Sequence, residues 1–271
     1  MARNKTTAVH TRPTDRPLTK LAKLVKLLGP VQALKFIVLR TRGVRSATFV
    51  PRGLAVPLEC RLRGSDIFVM WQAIGKDECR LPRWVRPKVI IDGGANVGYT
   101  TARFAVDYPE ATVIAIEPAE DNLAVLRRNV QQFSNVVVIP GALWKSDATL
   151  CVINPTAQPW EYQVSEVPEG HGPGTFHAFT IPSLLQHCGF SNAEVVKLDV
   201  EGAEELIFSQ GPTQWIDACQ LVVVETHGPQ ATQTVRRAFS SGFQETRQGE
   251  KLVYARTSVL SAAPAADGLL Q

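Results

Sequence analysis

The chain has 271 residues, of which 45% are hydrophobic and 20% are charged. This composition is typical of a globular protein with one substantial core. The net charge of +4 is modest, and neither aromatic–basic interleaving nor zinc-type spacing is found, so we expect no nucleic-acid partner. The five cysteines include no Cys-x-x-Cys pair, which indicates reduced thiols and a cytoplasmic location.

The N-terminal part is basic and has helical periodicity. Residues 1–17 are polar, and we expect them to be disordered. Residues 18–39 repeat apolar side chains at helical spacing, with a break at Gly29-Pro30. No uncharged apolar run reaches the length of about 18 residues that a membrane span needs. Two interpretations stay open: the helices of residues 1–42 pack on the rest of the chain, or residues 18–40 make peripheral contact with anionic lipid.

The remainder divides into a strand-rich lead-in at 43–86, an alternating region at 87–258 and a flexible tail at 259–271. The alternation of strands and helices predicts an α/β fold with a mostly parallel sheet and right-handed crossovers. A terminal hairpin is predicted at 243–257, and residues 154–176 are predicted to be an irregular insertion that serves as a substrate lid. The predicted strands are 88–92, 112–117, 136–142, 194–199 and 219–226, and the predicted helices are 97–108, 119–132, 180–188, 203–209 and 229–241.

One glycine-rich turn follows a predicted buried strand. Val89 to Ile91 is a β-branched run, and Asp92-Gly93-Gly94-Ala95-Asn96-Val97-Gly98 comes directly after it. Glu117 ends the next strand, about 25 residues further on, which resembles the spacing of an acid that binds ribose hydroxyls. The turn does not match the dinucleotide fingerprint G-x-G-x-x-G. Its leading acid, Asp92, suits a cofactor that carries an amine or a sulfonium rather than a pyrophosphate.

A second set of polar residues ends two later strands. Asp199 and Glu201 follow the strand that begins at Val195, and Glu225 and His227 follow the next one. The carboxyl ends of parallel strands share one edge, where open α/β sheets bind ligands. We therefore expect all four residues to meet Asp92 and Glu117 there. For His227, a role as general base or metal ligand competes with simple packing at the edge.

These motifs together resemble FkbM-type S-adenosylmethionine-dependent methyltransferases. The matching segments are residues 92–98, Glu117-Pro118 with Asn122, residues 197–204 and Glu225-Thr226-His227. The resemblance implies a Rossmann-like methyltransferase fold with helices on both faces of seven strands, the last antiparallel. It also implies S-adenosylmethionine over the first turn, with Glu117 on the ribose. The implied cofactor-binding residues are Asp92, Gly94, Asn96, Gly98, Glu117, Pro118, Asn122, Ala142, Leu143 and Asp199.

Family members commonly methylate hydroxyls of sugars, glycolipids or polyketides, and we expect such a small-molecule acceptor here. In our hypothesis His227 or Glu201 takes the hydroxyl proton while Asp199 orients the acceptor. A variant places a divalent ion on Asp199, Glu225 and His227. Two alternatives stay open: a non-catalytic cofactor-binding or scaffold protein, and an NAD-linked oxidoreductase. The sequence assigns no oligomeric state.

Overall fold

A computed structural model describes residues 17–82, 84–153, 164–168 and 174–260. Its centre is a seven-stranded sheet of β3 (Val89–Gly93), β4 (Thr112–Glu117), β5 (Val136–Pro140), β10 (Val195–Leu198), β11 (Leu221–Glu225), β12 (Phe243–Gln248) and β13 (Lys251–Arg256). Their order in the sheet is β12-β13-β11-β10-β3-β4-β5, and β13 alone runs opposite to the other six strands. This arrangement confirms the predicted α/β sheet with a terminal hairpin.

Helices cover both faces of this sheet. Ile91 packs with Leu184 and Ile207 on one face, and Ile90 packs with Phe104 on the other. Strands covered on both faces need continuous apolar runs rather than alternation, which explains the fully buried β3 and β10. The helices are α3 (Tyr99–Asp107), α4 (Glu120–Val130), α5 (Ile181–His187), α6 (Glu204–Gln210), α7 (Pro229–Ala238) and α8 (Thr257–Leu260).

The strand order reverses between β3 and β10. From β3 the chain moves outward to β4 and β5, and it later returns to place β10 on the other side of β3. The chain leaves β3 toward one face of the sheet and β10 toward the other, and the carboxyl edge between these two loops is called the crevice here. Ligands bind at such a switch point in open α/β sheets.

Residues 17–75 pack onto the same domain. Helix α1 (Pro17–Thr41) is kinked at Gly29, whose φ of 76° is non-helical, as the Gly-Pro pair predicts. Strands β1 (Ser46–Phe49) and β2 (Leu58–Arg61) form a hairpin, followed by α2 (Asp66–Met70) and a π-helical turn, Trp71–Gly75. The lead-in thus contains two short helical segments beside its two strands. Its apolar side chains share one cluster with α1 and α3.

A second sheet, of four strands, lies where the sequence predicted the end of one strand and an irregular insertion. Its order is β6-β9-β7-β8, and its strands are β6 (Ala142–Leu143), β7 (Ala148–Val152), β8 (Val164–Val167) and β9 (Thr175–Phe179). The predicted strand 136–142 was wrong at its end, because Gly141 breaks it and sends Ala142 to pair with Ala178. The insertion at 154–176 is not wholly irregular, since it contributes β8. Its residues 154–163 and 169–173 lie outside the described residues, as do 1–16 and 261–271, so the lid stays a prediction.

Within the described part of the chain, no helix is long and apolar enough to cross a membrane.

Candidate active site at the carboxyl edge of the sheet

The turn after β3 lies directly on the end of β10. Gly94 has a φ of 70°, and a Cβ at this position would lie 1.9 Å from the carbonyl oxygen of Asp199. Only glycine satisfies both the left-handed conformation and this approach. Gly98, the residue before α3, has a φ of 86° and packs so that a Cβ would lie 2.5 Å from Leu126. The glycines therefore fit the turn between β10 and α4.

Glu117 ends β4 beside this turn. Its side chain is buried, with 6% of the residue exposed. One carboxylate oxygen accepts the backbone N–H of Asn96 at 2.9 Å, and the other accepts Ala119 N–H at 3.1 Å and Asn122 Nδ2 at 3.2 Å. Burial raises the pKa of Glu117, and these hydrogen bonds oppose that effect. Three donors leave part of the accepting capacity of a carboxylate unused.

Asp92 lies beneath the turn and does not reach its surface. It is fully buried, with one oxygen 3.0 Å from Lys197 Nζ and the other accepting a hydrogen bond of 2.6 Å from Thr101. Lys197 also donates to the carbonyl oxygens of Gly93 and Gly94 at 3.1 and 2.9 Å. The buried ion pair thus fixes the backbone of the turn from below.

A second buried lysine joins the ends of β10 and β11. Lys251 donates to Asp199 at 2.9 Å and to Glu225. Burial opposes the charge on Lys251, but the neighbouring carboxylates outweigh it and hold the pKa of Lys251 well above its usual value. Burial likewise opposes ionisation of Asp199, and the charges of Lys251 and Lys197 hold its pKa well below its usual range. Asp199 is therefore a carboxylate at neutral pH and a weak base.

His227 is held between two carboxylates. Its Nε2 lies 3.2 Å from Glu201 and its Nδ1 lies 3.0 Å from Glu204. Burial disfavours the charged ring, but the hydrogen bonds and charges of these two acids raise the pKa of His227 to about 11. In this arrangement the ring is an imidazolium at neutral pH, with both nitrogens engaged.

Glu204 and Glu201 differ in what they can do. Glu204 is fully buried and accepts the backbone N–H groups of Val200 and Gly202. Glu201 has a φ of 49°, unusual for a residue other than glycine, and its side chain is 43% exposed. The strained turn therefore presents the Glu201 carboxylate to solvent at the crevice.

The structure brings most of the predicted residues together. Ligand atoms of Asp199, Glu201 and His227 lie within 4.8 Å of one another. Glu225, expected among the metal candidates, faces Lys251 instead. Leu143 lies beside the turn, since a Cβ at Gly93 would lie 2.6 Å from its side chain. Pro118 and Ala142 are partly buried.

Lys197 and Lys251 are not among the residues that the sequence predicted for the site. Lys197 carried a signal, since a charged residue inside the apolar strand Val195–Leu198 needs a buried partner. Lys251 follows a hairpin turn, where lysine is ordinary. Its role depends on the pairing of the neighbouring strands β11 and β13, which places Lys251 opposite Glu225.

The family model of the FkbM methyltransferase domain matches residues 92–250, more than half of the chain. The chain belongs to the FkbM methyltransferase family. The match begins at Asp92 and spans both the glycine turn and the Asp199–His227 cluster. It confirms the family resemblance noted in the sequence and the Rossmann-like methyltransferase fold.

Solved structures of methyltransferases are similar at low identity. Fibrillarin from Aeropyrum pernix, in complex with natively bound S-adenosyl-L-methionine, is 12% identical over 65% of this chain and 69% of that chain, with a TM-score of 0.39. A putative O-methyltransferase from Klebsiella pneumoniae is 14% identical over 68% and 80%, with a TM-score of 0.35. A methyltransferase from Geobacter sulfurreducens is 12% identical over 84% and 88%, with a TM-score of 0.36. No curated protein matches the chain significantly.

Proposed function

We propose that this FkbM-family methyltransferase transfers a methyl group from S-adenosylmethionine to a hydroxyl of a sugar, glycolipid or polyketide-like acceptor. The observation that carries the proposal is the pairing, at one switch point, of a buried carboxylate beside a glycine turn with an exposed carboxylate, Glu201, on the facing strand end. The first suits the ribose of the cofactor. The second suits a hydroxyl that must lose its proton.

The residues around the turn fit S-adenosylmethionine. A side chain at Gly94 would meet the Asp199 carbonyl, so only glycine lets the turn lie this close to the end of β10. Glu117 keeps accepting capacity for ribose hydroxyls after its three donors. We assign Asn96, Gly98, Pro118 and Asn122 to shaping this side, with Ala142 and Leu143 at the adenine end. When bound, the cofactor supplies an electrophilic methyl group on a sulfonium.

We assign Asp92 a positioning role rather than direct contact with the cofactor. The residue is fully buried, and its carboxylate is occupied by Thr101 and Lys197. It acts on the turn because Lys197 binds the Gly93 and Gly94 carbonyls. Replacing Asp92 would therefore loosen the backbone that faces the cofactor.

On the acceptor side we assign Glu201 as the general base. His227, the other candidate, is already protonated near neutral pH because its pKa is raised to about 11. Asp199 binds its proton too weakly, since two lysines hold its pKa low. Glu201 has one oxygen near His227 and an exposed side chain, so it accepts the proton while the imidazolium holds it in place. Asp199 orients the acceptor hydroxyl.

A second candidate mechanism uses a divalent ion. The ligand atoms of Asp199, Glu201 and His227 are close enough to share one, provided that His227 gives up its proton. The ion would polarise the hydroxyl in place of the base. Dialysis against EDTA separates the two mechanisms: unchanged turnover supports Glu201 alone, and a loss restored by a divalent ion supports the metal.

The test of the proposal is methyl transfer to a panel of sugar, glycolipid and polyketide hydroxyls, with the product mapped by NMR. We expect an O-methyl product and a decrease of about 10²-fold or more for Glu201→Gln. The matched control is Glu205→Gln, whose side chain contacts Gln230 instead. Methylation at nitrogen or carbon would overturn the O-methyl assignment. Binding without transfer to any acceptor would favour the scaffold alternative, and binding of NADH instead would favour the oxidoreductase.

A further inference from the structure

Helix α1 leaves large apolar side chains in solvent. Among the described residues, nine large apolar side chains are exposed, and five of them lie on this helix. Val31 is 79% exposed and Leu34 is 63% exposed. Single exposed apolar residues are normal, but a cluster marks an interaction surface. The five residues are Leu18, Leu21, Val31, Leu34 and Ile37.

These side chains form stripes that are separate from the core contacts of α1. Leu18 and Leu21 are three residues apart before the kink, and Val31 and Leu34 are three apart after it, so each pair shares a helix face. The core contacts of α1 are made by other residues, which pack in the cluster that contains the lead-in. The helix therefore has one apolar face satisfied by packing and another open to solvent.

The segment that carries these apolar side chains is strongly basic. Residues 17–58 contain eight lysines and arginines and no acidic residue. Residues 59–271 contain 24 acidic and 17 basic residues, so the charge of the chain is segregated. The exposed basic side chains on and beside α1 are Lys20, Lys26, Lys35, Arg40, Arg42, Arg45 and Arg52.

We propose that this α1 surface docks on the anionic phospholipid surface of a membrane, with the helix lying in the interface. Basic side chains attract anionic headgroups, and exposed apolar side chains reach the acyl boundary. A second copy docking through the same helix would bring two strongly basic surfaces together, which charge repulsion disfavours. Residues 1–16 contain four basic residues and one acid, so they share the sign of the surface. The proposal is independent of the acceptor.

Vesicle flotation tests the apolar part. The full chain is mixed with vesicles of phosphatidylcholine alone, or of phosphatidylcholine with phosphatidylglycerol. We expect flotation only with the anionic vesicles, and a loss of about tenfold or more in partitioning for Val31→Ser/Leu34→Ser. The matched control is Val106→Ser/Val137→Ser, which changes two exposed valines elsewhere and should float like the wild type.

The basic part has its own pair of variants. Lys20→Gln/Arg42→Gln should lower partitioning about fivefold for each charge removed, and added salt should lower it further. Arg127→Gln/Arg237→Gln removes two exposed charges from α4 and α7 and should change it little.

Three results would overturn the proposal. One is a folded wild-type chain that stays in the soluble fraction with anionic vesicles. Another is flotation that survives both the apolar and the charge variants. The third is a wild-type dimer, seen by light scattering, that becomes a monomer in Val31→Ser/Leu34→Ser while flotation is unchanged. That result would make α1 a contact between two copies of the chain. Circular dichroism melting checks that each variant is folded, and all the substituted positions are exposed.

Discussion

The guanidinium group of Arg61 donates a hydrogen bond of 2.9 Å to Oδ1 of Asn122. This contact fixes the orientation of the Asn122 amide, because Oδ1 must face the guanidinium group. Nδ2 of Asn122 is then free to donate to Glu117 at 3.2 Å. Arg61 is itself held by the buried Asp66 through three contacts of 2.8 to 3.1 Å. The lead-in hairpin is therefore connected to the carboxylate that we assign to the ribose.

This connection predicts that Arg61→Met weakens cofactor binding without touching the crevice. Loss of the contact frees the Asn122 amide, and we expect the affinity for S-adenosylhomocysteine to fall about tenfold, the equivalent of one hydrogen bond. Calorimetry measures it, with the exposed neighbour Arg63→Met as the control. Arg61→Met also leaves the buried carboxylate of Asp66 without its cation. The double variant Arg61→Met/Asp66→Asn should therefore regain the free energy of unfolding but not the affinity for S-adenosylhomocysteine. Recovery of both would show that Arg61 acts only on stability.

Gly94→Ala should destabilise the chain by more than its conformation alone explains. A left-handed residue other than glycine costs about 1–2 kcal/mol, and here the Cβ also meets the Asp199 carbonyl at 1.9 Å. Gly242→Ala is the matched control, since its φ of 75° is similar and no atom lies within 4 Å of its Cβ. Urea unfolding compares the two variants. Equal losses would mean that the turn does not press on β10 as described.

Removing Lys251 should be among the most costly side-chain changes in the sheet. Lys251→Met leaves Asp199 and Glu225 adjacent without a cation, and breaking a buried pair costs about 3–5 kcal/mol. The exposed Lys88→Met serves as the control. Lys251→Met/Glu225→Gln should recover part of the lost free energy of unfolding, because one of the two carboxylates left without a cation is removed. A loss in Lys251→Met no larger than in Lys88→Met would contradict the buried bridge between β10 and β11.

The stability contributed by His227 should depend on pH with a defined sign. Its pKa is raised to about 11 in the folded chain, whereas the unfolded value is about 6.5. A group with a raised pKa stabilises the folded state fully when the pH is below its unfolded pKa. This stabilisation is lost as the pH rises toward the folded pKa. The difference in Tm between the wild type and His227→Gln should therefore shrink from about pH 6 to about pH 10. A difference that grows over this range would indicate a neutral ring.

Local patterns were enough to predict the main sheet. The buried runs before Asp92 and Asp199 predicted strands of a parallel sheet, because such strands are covered on both faces. The edge that gathers the site then followed from the direction of parallel strands. The lysine partners of Asp92 and Asp199 could not be predicted in the same way. Lys197 is 105 residues beyond Asp92 in sequence, and only the order of the strands brings the two together.

The second sheet escaped prediction for a different reason. Strand β6 has only two residues, and β8 lies inside a segment rich in proline and glycine. Neither carries a periodic pattern long enough to be recognised. The state of His227 was also beyond the sequence, because it depends on Glu201 and Glu204 closing on the ring from one turn.

The most direct test of the account is calorimetric titration of the full chain with S-adenosylhomocysteine. We expect micromolar binding in the wild type, a loss in Glu117→Ala, and no change in Glu110→Ala, which removes an exposed acid from the turn between α3 and β4. A folded wild-type chain that binds no S-adenosylhomocysteine, or a Glu117→Ala variant that binds it as well as the wild type, would contradict the assignment of the glycine turn and Glu117 to the cofactor.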